Sequence, residues 1–164
     1  LEVAKTYLHE RYADSPDARY GIVASSRDKD LVRFGVMNDF QSTKVLRYGP
    51  WYGDDENLPG SRSCLRLRDC VTEFGAQGLE LDAVLLAWRT DFLLVDGRWN
   101  IGRARGYKRG GPKVRDPAQL RANAYRVLLT RARDATVVFV PDLPELDATY
   151  THLERAGFRA LTPG

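Results

Sequence analysis

Two short segments hold the polar residues whose types and spacing are best suited to chemistry. Residues 72–82 read TEFGAQGLELD and lead directly into the apolar run AVLL over 83–86. Residues 125–132 read YRVLLTRA. Each segment joins polar groups that suit a nucleotide to an apolar run that suits a buried strand or helix.

The first segment offers groups that could contact a ribose and a phosphate. Gly78 permits a tight turn. Glu80 stands just before a predicted buried strand, where its carboxylate could accept a hydrogen bond from a ribose hydroxyl. The hydroxyl of Thr72 and the backbone near it could contact a phosphate. The alternative is a plain strand–turn–strand connection with a solvated glutamate.

The second segment places Arg131 at the end of a largely apolar helix, beside a sheet edge. A guanidinium is a planar fork that binds phosphate oxygens, and in nucleotide hydrolases it stabilises charge on the transferred phosphoryl group. The alternative is a surface arginine whose charge suits the helix dipole. Arg126 is a weaker phosphate candidate, because a helical residue five positions away need not share the face of Arg131.

In this order, the two segments resemble motifs V and VI of superfamily-one (UvrD-like) helicases. The first is similar to the family pattern of a threonine followed by Gln/Lys-Gly-Leu-Glu and an aspartate. The second, with the apolar run over 136–140, resembles the helix, the Thr-Arg-Ala sequence and the strand of motif VI. Residues 20–160 are most similar to the helicase-like family found in the C-terminal part of Schlafen proteins and in uncharacterised bacterial relatives.

This resemblance implies a second RecA-like (P-loop NTPase-type) motor domain, with ATP and Mg²⁺ bound in a cleft between two such domains. Arg131 is then the catalytic arginine that faces the γ-phosphate, Glu80 binds the ribose, and Thr72 faces a single strand of DNA or RNA. The other implied nucleotide contacts are Gln77, Gly78, Arg126 and Thr130.

The sequence holds only half of the residues that such a motor needs. No G-x-x-x-x-G-K-[ST] loop occurs in it, so the groups that cradle the β- and γ-phosphates and most Mg²⁺ ligands are expected on a first RecA-like domain. The chain begins at Leu1 inside a predicted helix, and we expect that domain upstream. We expect no ATPase activity from this chain alone. The acidic run over 54–56 is expected to be a solvated loop.

Residues 98–115 combine seven basic side chains with interleaved aromatic rings and four glycines. Cations would meet backbone phosphates, and aromatic rings could stack on bases. The alternative is a solvated basic loop with Trp99 packed on the core. The residues predicted here to contact nucleic acid are Trp99, Arg103, Arg105, Tyr107, Lys108, Arg109 and Lys113.

The composition of the chain bears on the number of domains, the partners and the compartment to be expected. A chain of 164 residues with 43% apolar and 29% charged residues is expected to form one domain over 1–164, and a net charge of +3 is compatible with nucleic acid. Cys64 and Cys70 form no CxxC pair, so a disulfide or metal site is not expected and a reduced, cytoplasmic protein is favoured. No apolar run approaches the ~20 residues of a membrane span, and no signal peptide opens the chain.

The predicted elements alternate between strand and helix, which indicates an α/β fold with a largely parallel sheet flanked by helices. Asp96-Gly97 predicts a hairpin that, with the basic loop, forms an insertion over 91–116. Strands are predicted at 20–25, 64–72, 82–88, 92–95, 98–101, 136–140 and 158–161, helices at 2–13, 26–38, 116–133 and 146–156, and an irregular stretch at 40–63.

Three functions remain open from the sequence. The leading one is the C-terminal motor domain of an ATP-dependent helicase or translocase. A second is a helicase-like ATPase module that acts as a nucleotide-dependent regulatory switch without unwinding. The third is a non-catalytic nucleic-acid-binding α/β domain in which the motif resemblance is coincidental.

Overall fold

A computed structural model describes residues 1–106 and 114–162 of the chain. Within them, the elements in chain order are α1 (Glu2–Arg11), β1 (Tyr20–Ala24), α2 (Phe40–Lys44), α3 (Tyr48–Gly53), β2 (Cys70–Thr72), β3 (Leu81–Ala87), β4 (Leu93–Val95), β5 (Arg98–Asn100), α4 (Pro117–Leu129), β6 (Ala132–Phe139) and α5 (Asp147–Arg155). Short 3₁₀ turns lie at Leu31–Phe34, Cys64–Arg66 and Pro144–Leu146.

Four parallel strands form the central sheet in the order β2-β1-β3-β6. Every residue of β1 is buried, and so is every residue of β3 except Asp82. Strands buried on both faces are expected to be almost continuously apolar, as these are. The predicted α/β architecture with a mostly parallel sheet flanked by helices is confirmed.

Hydrophobic clusters cover both faces of the sheet. On one face, Leu8 of α1 packs with Ile22 and Leu85. On the other face, Tyr125 and Leu128 of α4 belong to a cluster with other residues of the same strands. Because successive side chains of a strand point to opposite faces, each central strand contributes to both clusters.

Gly21 is the point in β1 where the Trp51 ring of α3 meets the backbone. A Cβ at position 21 would lie 2.7 Å from Cζ2 of Trp51 and 3.0 Å from Cβ of Cys64. We expect Gly21→Ala to lower the free energy of unfolding by about 1–3 kcal/mol through overpacking, measured by urea denaturation. Gly49→Ala is the control, because a Cβ there meets nothing within 4 Å; an equal loss in both variants would contradict the argument.

The predicted helix over 26–38 is wrong. Only a 3₁₀ turn forms at Leu31–Phe34, and it ends at Gly35, whose φ is 82°. Oδ1 of Asp28 accepts hydrogen bonds from the N–H groups of Asp30 and Leu31, both at 2.9 Å. Nδ2 of Asn38 donates to the carbonyl of Asp28 at 3.1 Å. Such local bonds from side chain to backbone compete with a helix and here replace it.

Other element boundaries also differ from the prediction. The predicted strand over 64–72 contains a 3₁₀ turn, and Leu67 has a φ of 48° that interrupts any extended run before β2. The stretch over 40–63, predicted to be irregular, contains α2 and α3. The predicted strand over 158–161 does not form; Gly157, with a φ of 103°, ends α5, and Phe158 packs on the core instead. Helix α4 ends at Leu129, four residues before the predicted end, so that Ala132 begins β6.

The strongest local signals are confirmed. Asp96 and Gly97 have φ values of 48° and 73°, as the tight turn between antiparallel β4 and β5 requires. Oδ1 of Asp116 accepts a hydrogen bond from the Gln119 N–H at 2.9 Å, and Pro117 begins α4.

Both cysteines are buried and free. None of the helices described in residues 1–106 and 114–162 has the length and apolar character needed to cross a membrane.

Candidate functional site

The two segments predicted to carry chemistry run along the same face of the sheet and meet at one of its edges. Residues 73–80 lead from the carboxyl end of β2 to the amino end of β3, and α4 leads to the amino end of β6. Strands β3 and β6 are neighbours, and Leu81 pairs with Ala132 in their register. The residues that precede these two, Glu80 and Arg131, are therefore neighbours at the amino edge of the sheet.

Charged groups are concentrated at this amino edge. Nη1 of Arg131 donates a long hydrogen bond, 3.4 Å, to the carbonyl of Leu79, while its Nε is buried without a partner. The Glu80 carboxylate is largely exposed and lies 3.4 Å from Nη1 of Arg133. Nη2 of Arg133 donates to Oδ1 of Asp82 at 2.9 Å. The exposed Glu80 carboxylate thus stands beside the Arg133 guanidinium. Arg131, which binds the carbonyl of the residue before Glu80, has an unused donor.

The other predicted nucleotide contacts lie around this edge. Gly78 has a φ of 79°, which makes the turn before Glu80 possible and favours glycine. The hydroxyl of Thr130 donates to the carbonyl of Arg126 at 2.8 Å and so closes the end of α4. The side chain of Arg126 is exposed one turn earlier on α4, so it is less well placed than Arg131. Gln77 is exposed and precedes the turn.

Thr72 lies at the opposite, carboxyl edge of the sheet. It is the last residue of β2 and is buried, and its carbonyl accepts a hydrogen bond from the Ala76 N–H at 2.9 Å. The predicted nucleic-acid contact and the predicted nucleotide contacts therefore lie at opposite ends of the connection over residues 73–80.

A buried polar network that the sequence did not predict also lies at the carboxyl edge. Arg121 of α4 donates from Nη2 to Oε1 of Glu73 at 2.6 Å and from Nη1 to Oγ of Ser25 at 2.9 Å. Ser25 donates in turn to Asp91, whose Oδ1 accepts from the Tyr125 hydroxyl at 2.6 Å. All five residues are at most 6% exposed. We call these five residues the carboxyl-edge network.

The topology explains why these residues meet. Ser25 follows β1, Glu73 follows β2, and Asp91 follows β3, and the carboxyl ends of parallel strands lie at one edge. Arg121 and Tyr125 are four residues apart, so they share a face of α4. One feature of the sequence could have predicted this network. Arg121 lies on the same apolar face of the predicted helix as Tyr125, where a buried charge is tolerated only if it is paired.

Burial is the main reason that the pKa of Asp91 is raised to about 6, and the nearby Asp28 carboxylate contributes in the same direction. Hydrogen bonds from Ser25 and Tyr125 and the charge of Arg121 act in the opposite direction. Asp91 is therefore mainly ionised at neutral pH, with Arg121 as its cation at 3.6 Å. Burial also raises the pKa of Tyr125 well above its ordinary value, so its hydroxyl remains a donor.

The basic insertion is only partly described. Trp99 stacks on Phe92 with ring centroids 4.5 Å apart and an interplanar angle of 9°, which is the packed arrangement left open by the sequence; it remains 38% exposed. Arg103 pairs with Glu145 at 2.5 Å, and the Arg105 N–H donates to the Arg27 carbonyl at 2.7 Å. The remaining predicted contacts, Tyr107, Lys108, Arg109 and Lys113, lie outside the described residues.

In the parts of the chain that the structure describes, no group of three or more His, Cys, Asp or Glu side chains could hold a metal ion. The acidic run over 54–56 lies in an exposed to half-exposed loop, as expected. The unpartnered Arg131 Nε and the exposed Glu80 carboxylate fit a nucleotide, with its phosphate and ribose, better than a metal ion alone.

The architecture is that of an α/β domain with a parallel sheet flanked by helices, and it is compatible with a RecA-like fold. The family model described as Schlafen group 3, DNA/RNA helicase domain, matches residues 1–142, a range that includes both chemical segments. The chain belongs to this family. No curated protein and no solved structure matches it.

Proposed function

We propose that the chain is the second RecA-like motor domain of an ATP-dependent DNA or RNA helicase or translocase. Its amino edge then forms one wall of an ATP site, and a first RecA-like domain forms the other wall. The observation that carries this proposal is the register of β3 and β6, which makes Glu80 and Arg131 neighbours, with the Nε of Arg131 unused.

Each residue of the amino edge has a definite task in this proposal. Arg131 directs its guanidinium at the γ-phosphoryl group and stabilises charge that develops on it during transfer. Glu80 accepts a hydrogen bond from a ribose hydroxyl. Gly78 allows the backbone to turn beside the nucleotide, and Thr130 fixes the end of the helix that carries Arg131. Mg²⁺, when bound with the phosphates mainly by the other domain, would neutralise part of their charge.

The present contact of Arg131 is easily exchanged. Its bond to the Leu79 carbonyl, at 3.4 Å, is longer than the usual N–H···O range of 2.7–3.2 Å. A phosphate oxygen carries negative charge, so it attracts the guanidinium more strongly than the neutral Leu79 carbonyl does. The guanidinium is therefore expected to leave the carbonyl when a phosphate reaches the edge.

The carboxyl edge is less suited to phosphate. In open parallel sheets, ligands usually bind outside the carboxyl ends of the strands. Here the carboxyl-edge network fills that position with two carboxylates, Glu73 and Asp91, around a single arginine, Arg121. A phosphate placed directly against these two buried carboxylates would meet negative charge, which supports the amino edge, with Arg131 and Arg133, for the phosphates of the nucleotide.

Reconstitution tests the proposal. The chain alone is expected to hydrolyse no ATP, and the protein that joins it to a first RecA-like domain is expected to show hydrolysis stimulated by a single strand. Strand displacement by that protein supports a helicase, whereas hydrolysis without displacement supports a translocase or the regulatory switch. Turnover by the chain alone that depends on Arg131 would contradict the division of the site between two domains.

A further inference from the structure

A narrow slot lies between the connection over residues 73–80 and helix α4. Its volume is about 210 Å³. Phe74 and Gln77 form one side, and Leu120, Ala124 and Val127 of α4 form the other. The slot is next to Thr72, at the carboxyl edge of the sheet, and the ion pair of Glu73 and Arg121 from the carboxyl-edge network also lines it.

Phe74 is an exposed aromatic residue on a well-fixed backbone. Its side chain is 62% exposed, although it directly follows the buried residues Thr72 and Glu73. The Ala76 N–H donates to the Thr72 carbonyl at 2.9 Å, so a tight turn presents the ring at the mouth of the slot. The ring contributes little to the core, and its exposed face is free to stack on a ligand.

Polar groups lie at the rim and the base of the slot. Gln77 is exposed at the rim and offers both an amide donor and an acceptor. Oδ1 of Asn123 accepts from Nε2 of Gln119 at 3.0 Å, which leaves its NH₂ group as the part it offers. Arg121 lines the slot, and its Nε is buried without a partner. Apolar walls with a few donors and acceptors suit a planar heterocycle.

Size and charge narrow the choice of ligand. The slot is smaller than the roughly 300–1,000 Å³ of pockets that enclose a whole small-molecule ligand. It is of a size for one ring system. Arg27 also lines the slot, and its carbonyl accepts a hydrogen bond from the N–H of Arg105, within the basic stretch over 98–115. The positive charge of Arg27 beside a single-ring slot suits a base that is attached to a negatively charged phosphodiester.

We propose that this slot receives one unstacked base of a single-stranded nucleic acid, with Phe74 as the stacking platform and the amides of Gln77 and Asn123 at the edge of the base. The proposal rests on the proposed function, because that function supplies the strand, and it names the contact through which the strand is held. It also assigns Gln77 to the strand rather than to the nucleotide.

Substitutions of exposed phenylalanines test the platform. Phe74→Ala is expected to weaken binding of a fluorescent single strand by the intact protein about 5- to 150-fold, the usual effect of removing one stacked aromatic side chain. Phe74→Tyr keeps a ring and is expected to restore most of the affinity. Phe40→Ala is the matched control, because Phe40 is 63% exposed on α2 and does not line the slot. Equal affinity of Phe74→Ala and wild type would overturn the proposal.

Strands with a single abasic nucleotide at successive positions give a second measurement. In the wild type, we expect one position at which loss of the base weakens binding, and in Phe74→Ala that penalty should vanish. If the abasic strand still binds more weakly to Phe74→Ala, the assignment of the base to this slot is wrong. The proposed function would stand in that case, provided that the protein binds a strand and hydrolyses ATP in an Arg131-dependent way. A wild-type protein that binds no strand would overturn both.

Photo-crosslinking decides the source of the base. A strand with 5-iodouracil at the sensitive position is expected to crosslink to Phe74, identified by mass spectrometry, and unlabelled strand should compete. Loss of the crosslink with excess mononucleotide, but not with unlabelled strand, would show that the slot binds a free nucleotide and would overturn the assignment to a strand.

Discussion

Arg131→Ala is expected to lower ATP hydrolysis by the protein with both motor domains about 10³- to 10⁵-fold, the range known for arginine fingers. In the proposed site, the guanidinium would bind charge that is largest in the transition state of phosphoryl transfer. An interaction made only there lowers kcat and kcat/KM together when it is removed. Steady-state phosphate release with saturating single strand measures both parameters.

Arg155→Ala is the matched control for Arg131. Both arginines lie near the end of a helix, but Arg155 is in the last turn of α5, a different element from α4 and from the connection over 73–80. The control is expected to keep the wild-type rate. A loss of less than tenfold in Arg131→Ala, or an equal loss in Arg155→Ala, would contradict the role of Arg131.

Arg121→Met is expected to lower the free energy of unfolding by about 3–5 kcal/mol, the typical effect of removing one partner from a buried ion pair. The substitution leaves Glu73 and Asp91 buried without their cation, since Arg121 lies 2.6 Å from the first and 3.6 Å from the second. Urea denaturation of the chain at pH 7 measures the change. Arg126→Met, on the exposed side of the same helix, should stay within about 0.5 kcal/mol of wild type.

The loss in Arg121→Met should depend on pH with a definite sign. The pKa of Asp91 in the folded chain, about 6, is above its ordinary value, so the fold favours the protonated carboxyl. Its contribution to stability is greatest below pH ~4 and falls as pH rises through 6. A protonated Asp91 carries no charge for Arg121 to neutralise. The loss of unfolding free energy in Arg121→Met, relative to wild type, should therefore be smaller at pH 5 than at pH 8. A deficit below about 1 kcal/mol at pH 8 would mean that the network is not what holds α4 to the strand ends.

Local signals in the sequence predicted a large part of the fold. The apolar run over 83–86 predicted β3, Asp96-Gly97 predicted the hairpin, and Asp116-Pro117 predicted the start of α4, because each signal acts over a few residues. The segment over 26–38 failed for the opposite reason. Its outcome depends on Asp28 and Asn38, which hold the chain by bonds to backbone groups that a simple helical pattern does not consider.

The candidate site also has parts that the sequence suggested and parts that only the fold brings together. The types of Glu80 and Arg131 suggested a nucleotide site because their segments resemble helicase motifs, a prediction that stays open, whereas their proximity follows from the pairing of β3 with β6. The carboxyl-edge network escaped prediction because Arg121 meets partners 48 and 96 residues away in the sequence. For Trp99, the sequence was compatible both with stacking on a base and with packing on the core. The structure shows the ring packed on Phe92.

The position of the nucleotide is the central claim, and a structure of the two-domain protein with a single strand, ADP, Mg²⁺ and aluminium fluoride tests it most directly. We predict that a guanidinium nitrogen of Arg131 lies about 2.7–3.2 Å from the fluoride that replaces a γ-phosphate oxygen. Glu80 should contact the ribose at the amino edge. A nucleotide at the carboxyl edge against Glu73 and Arg121, with Arg131 still bound to the Leu79 carbonyl, would contradict the account.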